Sequence, residues 1–269
     1  MFKGLTSAPA VSIVVPVLDE AGNIERLFAE VASAMAQTLF ELIIVDDGSR
    51  DESWSVIQQL SVRQPQVRGF RLPVNRGQSA AIFVGLCAAR GSAIVTMDAD
   101  GQHDPDDIPR LLATLRQGAD IVCGVRRERK DPLLKRVSSR TANAVRRFFI
   151  HGPVHDAGCT FRAFRPSVLR QVPWFRGIHR FFPDLLAAQG YQVAEVVVGH
   201  RERQTGRSKY GIRNRIFAAG ADLFGVKWIL GRQFPAALNY EVITCSTMPG
   251  SPSALPPRES LPDGLLSSG

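Results

Sequence analysis

Three short clusters carry the residue types from which chemistry could be built: Pro16-Val17-Leu18-Asp19-Glu20, Asp46-Asp47-Gly48-Ser49 and Asp98-Ala99-Asp100-Gly101-Gln102-His103. Taken singly, each is as readily a turn former or a helix cap as a binding element. Charge placement gives them a context. Residues 1–125 hold 10 Lys/Arg and 15 Asp/Glu, whereas residues 126–232 hold 22 and 7. An acidic region suited to a cation is thus followed by basic blocks suited to phosphate or an anionic surface.

The elements that must position these clusters follow one rhythm, an apolar β-rich run, a polar turn and an amphipathic segment, which predicts β-α units around a mostly parallel sheet. Strands are expected at Val11–Val17, Glu41–Asp46, Val67–Leu72, Ala93–Met97, Asp120–Gly124 and Gln192–Gly199. Helices are expected after Asp19 with Ile24, Leu27, Phe28, Val31 and Met35 on one face, then at Ser53–Leu60, Gln78–Ala89 and Ile108–Leu115. Past Arg126 the rhythm breaks into a basic stretch, Leu133–Ile150, expected to be helical, and a Gly/Cys/Thr segment at 156–165. In open α/β sheets ligands lie at the carboxyl ends of strands, and all three clusters directly follow predicted strands. Their joint placement makes the set far more specific than any member.

The 269 residues carry 33 Lys/Arg against 25 Asp/Glu, a net charge of +8, with 45% hydrophobic and 22% charged residues. This composition excludes a chain disordered throughout, and the uneven charge excludes a uniformly basic coat. Cys87, Cys123, Cys159 and Cys245 form no CxxC pair, which argues against a zinc ribbon or a disulfide scaffold and for a reducing compartment. No apolar run before Val11 is long enough for a signal peptide. The best membrane-span candidate, Ile216–Leu230, is short and contains Asp222 and Lys227. It reads instead as an amphipathic segment, over 211–232, that packs on the core or lies in a lipid interface. Residues 1–9 are expected to be an extension, and the Pro/Ser-rich residues 233–269 a disordered tail.

No GxxxxGK[ST] occurs, and no GxGxxG follows the first strand, so phosphate is not cradled by a glycine loop. The clusters in order instead resemble the family 2 glycosyltransferases of GT-A fold over about residues 10–232. The resemblance implies an α/β catalytic domain at 10–210, with a nucleotide-sugar half (10–125) and an acceptor half (126–210). It assigns nucleotide-sugar contacts to Pro16, Leu18, Glu20, Val45, Asp47, Asp98, Ala99 and Asp100. It assigns a divalent metal, Mg2+ or Mn2+, to Asp98 and Asp100, with Gln102 as a third ligand. An all-oxygen set suits such a hard cation, and His103, lacking a second His at ligand spacing, reads as a supporting or structural residue.

Gly124-Val125-Arg126, Lys135-Arg136-Val137-Ser138-Ser139-Arg140, Asp156-Ala157-Gly158-Cys159-Thr160-Phe161-Arg162 and Arg203-Gln204-Thr205-Gly206-Arg207-Ser208-Lys209-Tyr210 are similar to the polyprenyl-phosphate branch, typified by dolichyl-phosphate mannosyltransferase. That resemblance implies that Arg126, Lys135 and Ser139 or Arg140 take a lipid phosphate, and that Arg203 and Lys209 grip the donor diphosphate. Asp98, Asp100 and Arg126 are then the catalytic set. Asp156 is expected to be an orienting residue near the sugar or metal, and Asp184 to be a helix residue rather than a base. Arg127, Arg129, Lys130, Arg146 and Arg147 receive no role.

The expected activity is inverting transfer of a sugar from GDP-mannose or a UDP-sugar to a polyprenyl phosphate. The expected location is cytoplasmic, peripheral at the cytoplasmic face of the membrane. Transfer to a saccharide hydroxyl is the alternative, although the acidic ED pair and QxxRW string common in such enzymes are missing. A basic RNA-binding protein is a third class; the absence of an aromatic RNP-like or zinc-knuckle signature argues against nucleic acid as a partner.

Overall fold

Strand β2 (Phe40–Asp46) is buried along its whole length, and β1 (Val11–Val17) is buried at every position but Pro16. Such continuous apolar runs form where both faces of a parallel sheet are covered. The computed structural model describes residues 8–126, 150, 152–201 and 222–232, all within one compact unit, Met1–Ala236. The remaining strands are β3 (Val67–Arg71), β4 (Ala93–Thr96), β5 (Ile121–Arg126), β6 (Arg162–Phe164) and β7 (Val193–Val198). Helices α1 (Ala21–Ala34), α2 (Ser53–Arg63), α3 (Gln78–Ala88), α4 (Ile108–Arg116) and α5 (Phe182–Ala188) cover them, and residues 222–230 are also helical.

The seven strands run in the order β3-β2-β1-β4-β6-β5-β7. β1, β2, β3 and β4 pair in parallel, as do β5 and β7, and β6 is antiparallel to both β4 and β5. The chain leaves β1 toward β2 and β3 on one side and returns to β4 on the other, so a crevice opens beyond the ends of β1 and β4. Alternate strand residues feed two cores. Ile13, Val15, Leu42, Ile44, Val95 and Val122 face α1, α2 and α4, and Val14, Ile43, Val45, Ile94 and Ile121 face α3, α5 and the 222–230 helix.

Every strand and helix expected within residues 11–124 is present, most of them within one or two residues of the expected ends; α2 runs three residues further, to Arg63, and β5 runs on to Arg126 rather than ending at Gly124. Strand β6 is an addition to the expectation, which held only a Gly/Cys/Thr segment there. Three residues are too few to show a period, and all three residues of β6 are buried. Because it runs against its neighbours, Arg162 pairs with Thr96 and Cys123, and the 156–161 loop arrives at the same edge as the ends of β4 and β5. The helix expected over Leu133–Ile150, apart from its last residue, lies outside the described residues. So do residues 1–7, 202–221 and the tail from 233.

Candidate active site

The turn after β2 shows how local sequence shapes this edge. Gly48 takes φ 72°, and a Cβ there would stand 2.7 Å from the backbone of Val74 and Asn75. Only glycine lets the 46–49 turn lie this close to the loop entering α3. Asp47, 3% exposed, clasps that loop: its Oδ1 accepts the Arg76 N–H at 2.7 Å and its Oδ2 the Gly77 N–H at 2.9 Å. Burial raises the Asp47 pKa and these two donors oppose the rise. The loop so held starts α3 with Gln78, whose Nε2 donates to Asp98 Oδ1 at 2.8 Å.

Asp19, at φ 50°, and Glu20 begin α1. The Asp19 N–H donates to Ser49 Oγ, Asp19 Oδ1 accepts the Arg50 N–H, and the Glu20 N–H donates to Ser53 Oγ. The ends of β1 and β2 are thereby laced together. Pro16, Leu18 and Glu20 are each half-buried at the carboxyl end of β1, whereas Val45 is 0% exposed and packs on the α3 side. A ligand could reach only the backbone of Val45. Ala99 is likewise buried, at 3% exposure.

Asp98, Asp100 and Gln102 occupy one half-buried turn after β4. The turn is sharp because Gly101 adopts φ 73°, with the Arg26 guanidinium of α1 against it, and the Gln102 N–H donates to Asp100 Oδ1 at 3.1 Å. No group of three or more His, Cys, Asp or Glu that could hold a metal occurs among the described residues. Two carboxylates and an amide fit a hard cation that completes its shell from substrate phosphate and water, the usual habit of Mg2+. His103 is not a candidate ligand. It is 3% exposed, its Nδ1 accepts the Asp98 N–H at 3.2 Å, and burial lowers its pKa to about 4, so the ring is neutral.

Arg126, the last residue of β5, is gripped in a fork by Asp156 from the loop before β6: Nε–Oδ2 is 2.8 Å and Nη2–Oδ1 is 3.0 Å. Burial works against the Arg126 charge, but the hydrogen bonds to Asp156 and the carboxylates of Asp156 and Asp98 outweigh it and raise its pKa. The guanidinium therefore stays charged and lies within electrostatic reach of Asp98. Among the described residues, Nη1 of Arg126 has no hydrogen-bond partner. Asp184, by contrast, is 2% exposed in α5, where a Cβ on Gly152 would overlap its Oδ1, and it offers no accessible base.

The structure thus brings Pro16, Leu18, Glu20, Asp47, Asp98, Asp100, Gln102 and Arg126 to one edge, with Val45 and Ala99 beneath the surface. Lys135, Ser139, Arg140, Arg203 and Lys209 lie outside the described residues. Three side chains at this edge were not singled out in the sequence: Gln78, Arg26 and Arg201. Arg201 pairs with Glu30 and with Asp104, each at 2.8 Å, and its N–H donates to Gln102 O. Nothing local marks them, since Gln78 and Asp98 are 20 residues apart and Arg201 and Glu30 are 171 apart.

Comparison with known proteins places this arrangement. Residues 12–172 match the family model described as glycosyl transferase family 2. A dodecaprenyl-phosphate galacturonate synthase of Rhizobium johnstonii is 37% identical over 226 residues, covering 81% of this chain and 67% of that protein. An undecaprenyl-phosphate 4-deoxy-4-formamido-L-arabinose transferase of Pseudomonas aeruginosa is 36% identical over 203 residues, covering 74% of this chain and 60% of that protein. The chain therefore spans about two thirds of the length of these relatives. In fold it is similar to glucosyl-3-phosphoglycerate synthase from Mycobacterium tuberculosis, solved with Mn2+ and UDP-glucose, at TM-score 0.60 and 21% identity, covering 82% and 79% of the two chains. The sheet, with one antiparallel strand among the described residues, is the GT-A fold, and with more than half its length under one family model the chain belongs to glycosyl transferase family 2.

Proposed function

We propose that the chain moves a sugar from a nucleotide sugar to a polyprenyl phosphate, with inversion at the anomeric carbon. The observation that carries this reading is the shared edge: the Asp98–Gln102 turn and the Arg126–Asp156 pair face one crevice, near enough for the Asp98 charge to act on Arg126. Both relatives are named for polyprenyl-phosphate products or acceptors, which supports the same acceptor class here.

In this reading Pro16, Leu18 and Glu20 border the nucleotide, and Asp47 holds the loop beside it. Asp98, Asp100 and Gln102 would hold a divalent cation, which when bound supplies charge neutralisation to the departing diphosphate. Nη1 of Arg126 is directed to the acceptor phosphate, because Asp156 already occupies the other side of the fork and fixes the plane of the guanidinium. Lys135, Ser139 and Arg140 are assigned to the same phosphate, and Arg203 and Lys209 to the diphosphate. A phosphate oxygen ionised near neutral pH attacks the anomeric carbon as the bond to the diphosphate breaks. Positioning and charge do the work here and no general base is needed, which accords with the burial of Asp184.

No helix among the described residues is long and apolar enough to cross a membrane. The 222–230 helix nevertheless turns two large side chains outward. Leu223 and Val226 are buried against the α3 and α5 side, whereas Phe224 is 66% and Trp228 61% exposed, with Arg232 over the indole at 4.7 Å. An aromatic face next to Lys227 and Arg232 suits the headgroup region of an anionic membrane, where each basic side chain adds about 1 kcal/mol. We assign this face to peripheral membrane contact.

A donor panel tests the activity: polyprenyl phosphate with Mn2+ and, in turn, GDP-mannose and several UDP-sugars. One donor is expected to give a lipid-linked product that mild acid cleaves. Asp100→Ala and Arg126→Ala should each lower turnover by about two orders of magnitude or more. Full turnover in both variants would refute the site assignment.

A further inference from the structure

His103 is 3% exposed, and its contacts run in two directions. On one side its Nδ1 accepts the backbone N–H of Asp98 at 3.2 Å, which leaves the ring proton on Nε2. On the other side Nε2 faces Cys159 Sγ at 3.9 Å, and the ring stacks on Phe161 with centroids 5.1 Å apart and planes 24° apart. The Cys159 N–H in turn donates to Asp156 O at 3.1 Å, and the Asp156 carboxylate holds Arg126. A short antiparallel bridge to His200 pins the His103 backbone as well. One imidazole thus joins the main chain of Asp98, from β4, to the loop that carries Arg126's partner, from before β6.

We propose that His103 is a positioning residue that sets the spacing between the Asp98–Gln102 turn and the Arg126–Asp156 pair. It rests on the reading of that turn as a cation and diphosphate site. The peptide before Asp98 determines where its carboxylate points, and His103 is the acceptor that fixes that peptide. Removing the acceptor takes that hydrogen bond from the part-buried Asp98 N–H and releases the turn to rotate. Residues that orient a metal's ligands commonly matter to metal affinity almost as much as the ligands do.

The test uses the full chain without donor or acceptor and reads Mn2+ affinity by electron paramagnetic resonance of the free ion. Thermal melting follows folding in parallel. His103→Phe keeps the stacked ring and removes both nitrogens; His103→Asn keeps an acceptor near the place of Nδ1. His103→Phe should weaken Mn2+ binding about tenfold or more and lower kcat with little change in acceptor KM, and His103→Asn should recover Mn2+ affinity to within about threefold of the parent. Asp100→Asn serves as reference. If Asp100→Asn weakens binding and a folded His103→Phe does not, the positioning role is overturned while the site reading stands. If Asp100→Asn binds Mn2+ as the parent does, the site reading fails and the proposal with it. Should His103→Phe not fold, Cys159→Ala takes its place: it removes the Nε2 contact and opens a small core cavity whose cost the melting curve reports; unchanged kcat and Mn2+ affinity there would also overturn the proposal.

Discussion

Asp47 and Asp98 are both carboxylates just past the ends of strands, yet their surroundings give them different work. Asp47 spends one oxygen on each of two backbone N–H groups and is 3% exposed, so its first duty is to hold the loop that delivers Gln78. Asp98 is half-buried at the crevice, and Gln78 steadies only its Oδ1. An Asp47→Asn variant would set an amide NH2 against one of the two N–H donors. Such a mismatch costs about 1–3 kcal/mol, so a lower melting temperature is expected together with a raised donor KM, as the α3 entry loosens and Gln78 leaves Asp98. A variant with parent-like stability and KM would show that the clasp is dispensable.

At the scale of elements, the two edges of the sheet divide the labour. At the amino edge, Glu41 on β2 is 2% exposed and accepts Ser12 O–H at 2.6 Å, the Arg90 N–H at 2.7 Å and Arg68 Nη1 at 2.7 Å. It ties the end of α3 to β1, β2 and β3, far from the carboxyl edge that carries the site. Close helix packing completes the tie, since a Cβ on Gly85 of α3 would come within 2.3 Å of Val14 Cγ1. Glu41→Ala leaves Arg68 only the Ala88 carbonyl, leaves the Arg90 N–H only the Ser12 hydroxyl and takes the acceptor from the Ser12 O–H, and is expected to cost about 2 kcal/mol by denaturant unfolding while leaving kcat/KM of the folded fraction unchanged. A matching loss of kcat/KM would mean that the two edges are coupled.

For the molecule as a whole, the net charge of +8 resolves into an acidic half over residues 1–125 and a basic block over residues 126–232. That layout is the one the proposed reaction asks for, in which two phosphorylated substrates, one of them a lipid, meet at one cation. In the proposed membrane contact the exposed Phe224 and Trp228 would add an apolar part that charge alone would lack. A Phe224→Ser/Trp228→Ser double variant should reduce co-sedimentation with anionic vesicles by about tenfold or more, with little change in melting temperature because neither side chain is part of the core. Vesicle binding equal to the parent's would remove this helix from the membrane reading.

The β-α rhythm and the three clusters after β1, β2 and β4 were legible in the sequence, because strand burial and turn chemistry act over a few residues and leave a local period. Tertiary structure alone decided the rest. The three-residue β6 has no period of its own and exists because β4 and β5 leave a slot between them. Asp156 could be marked as an orienting residue, but that it orients Arg126, 30 residues away, follows only from the antiparallel entry of β6. Gln78, Arg201 and the two-sided role of His103 depend on contacts spanning 20 to 171 residues, or on which ring nitrogen meets which neighbour. Side-chain type and spacing state which chemistry a chain can carry, whereas partners distant in sequence are chosen by how the sheet closes.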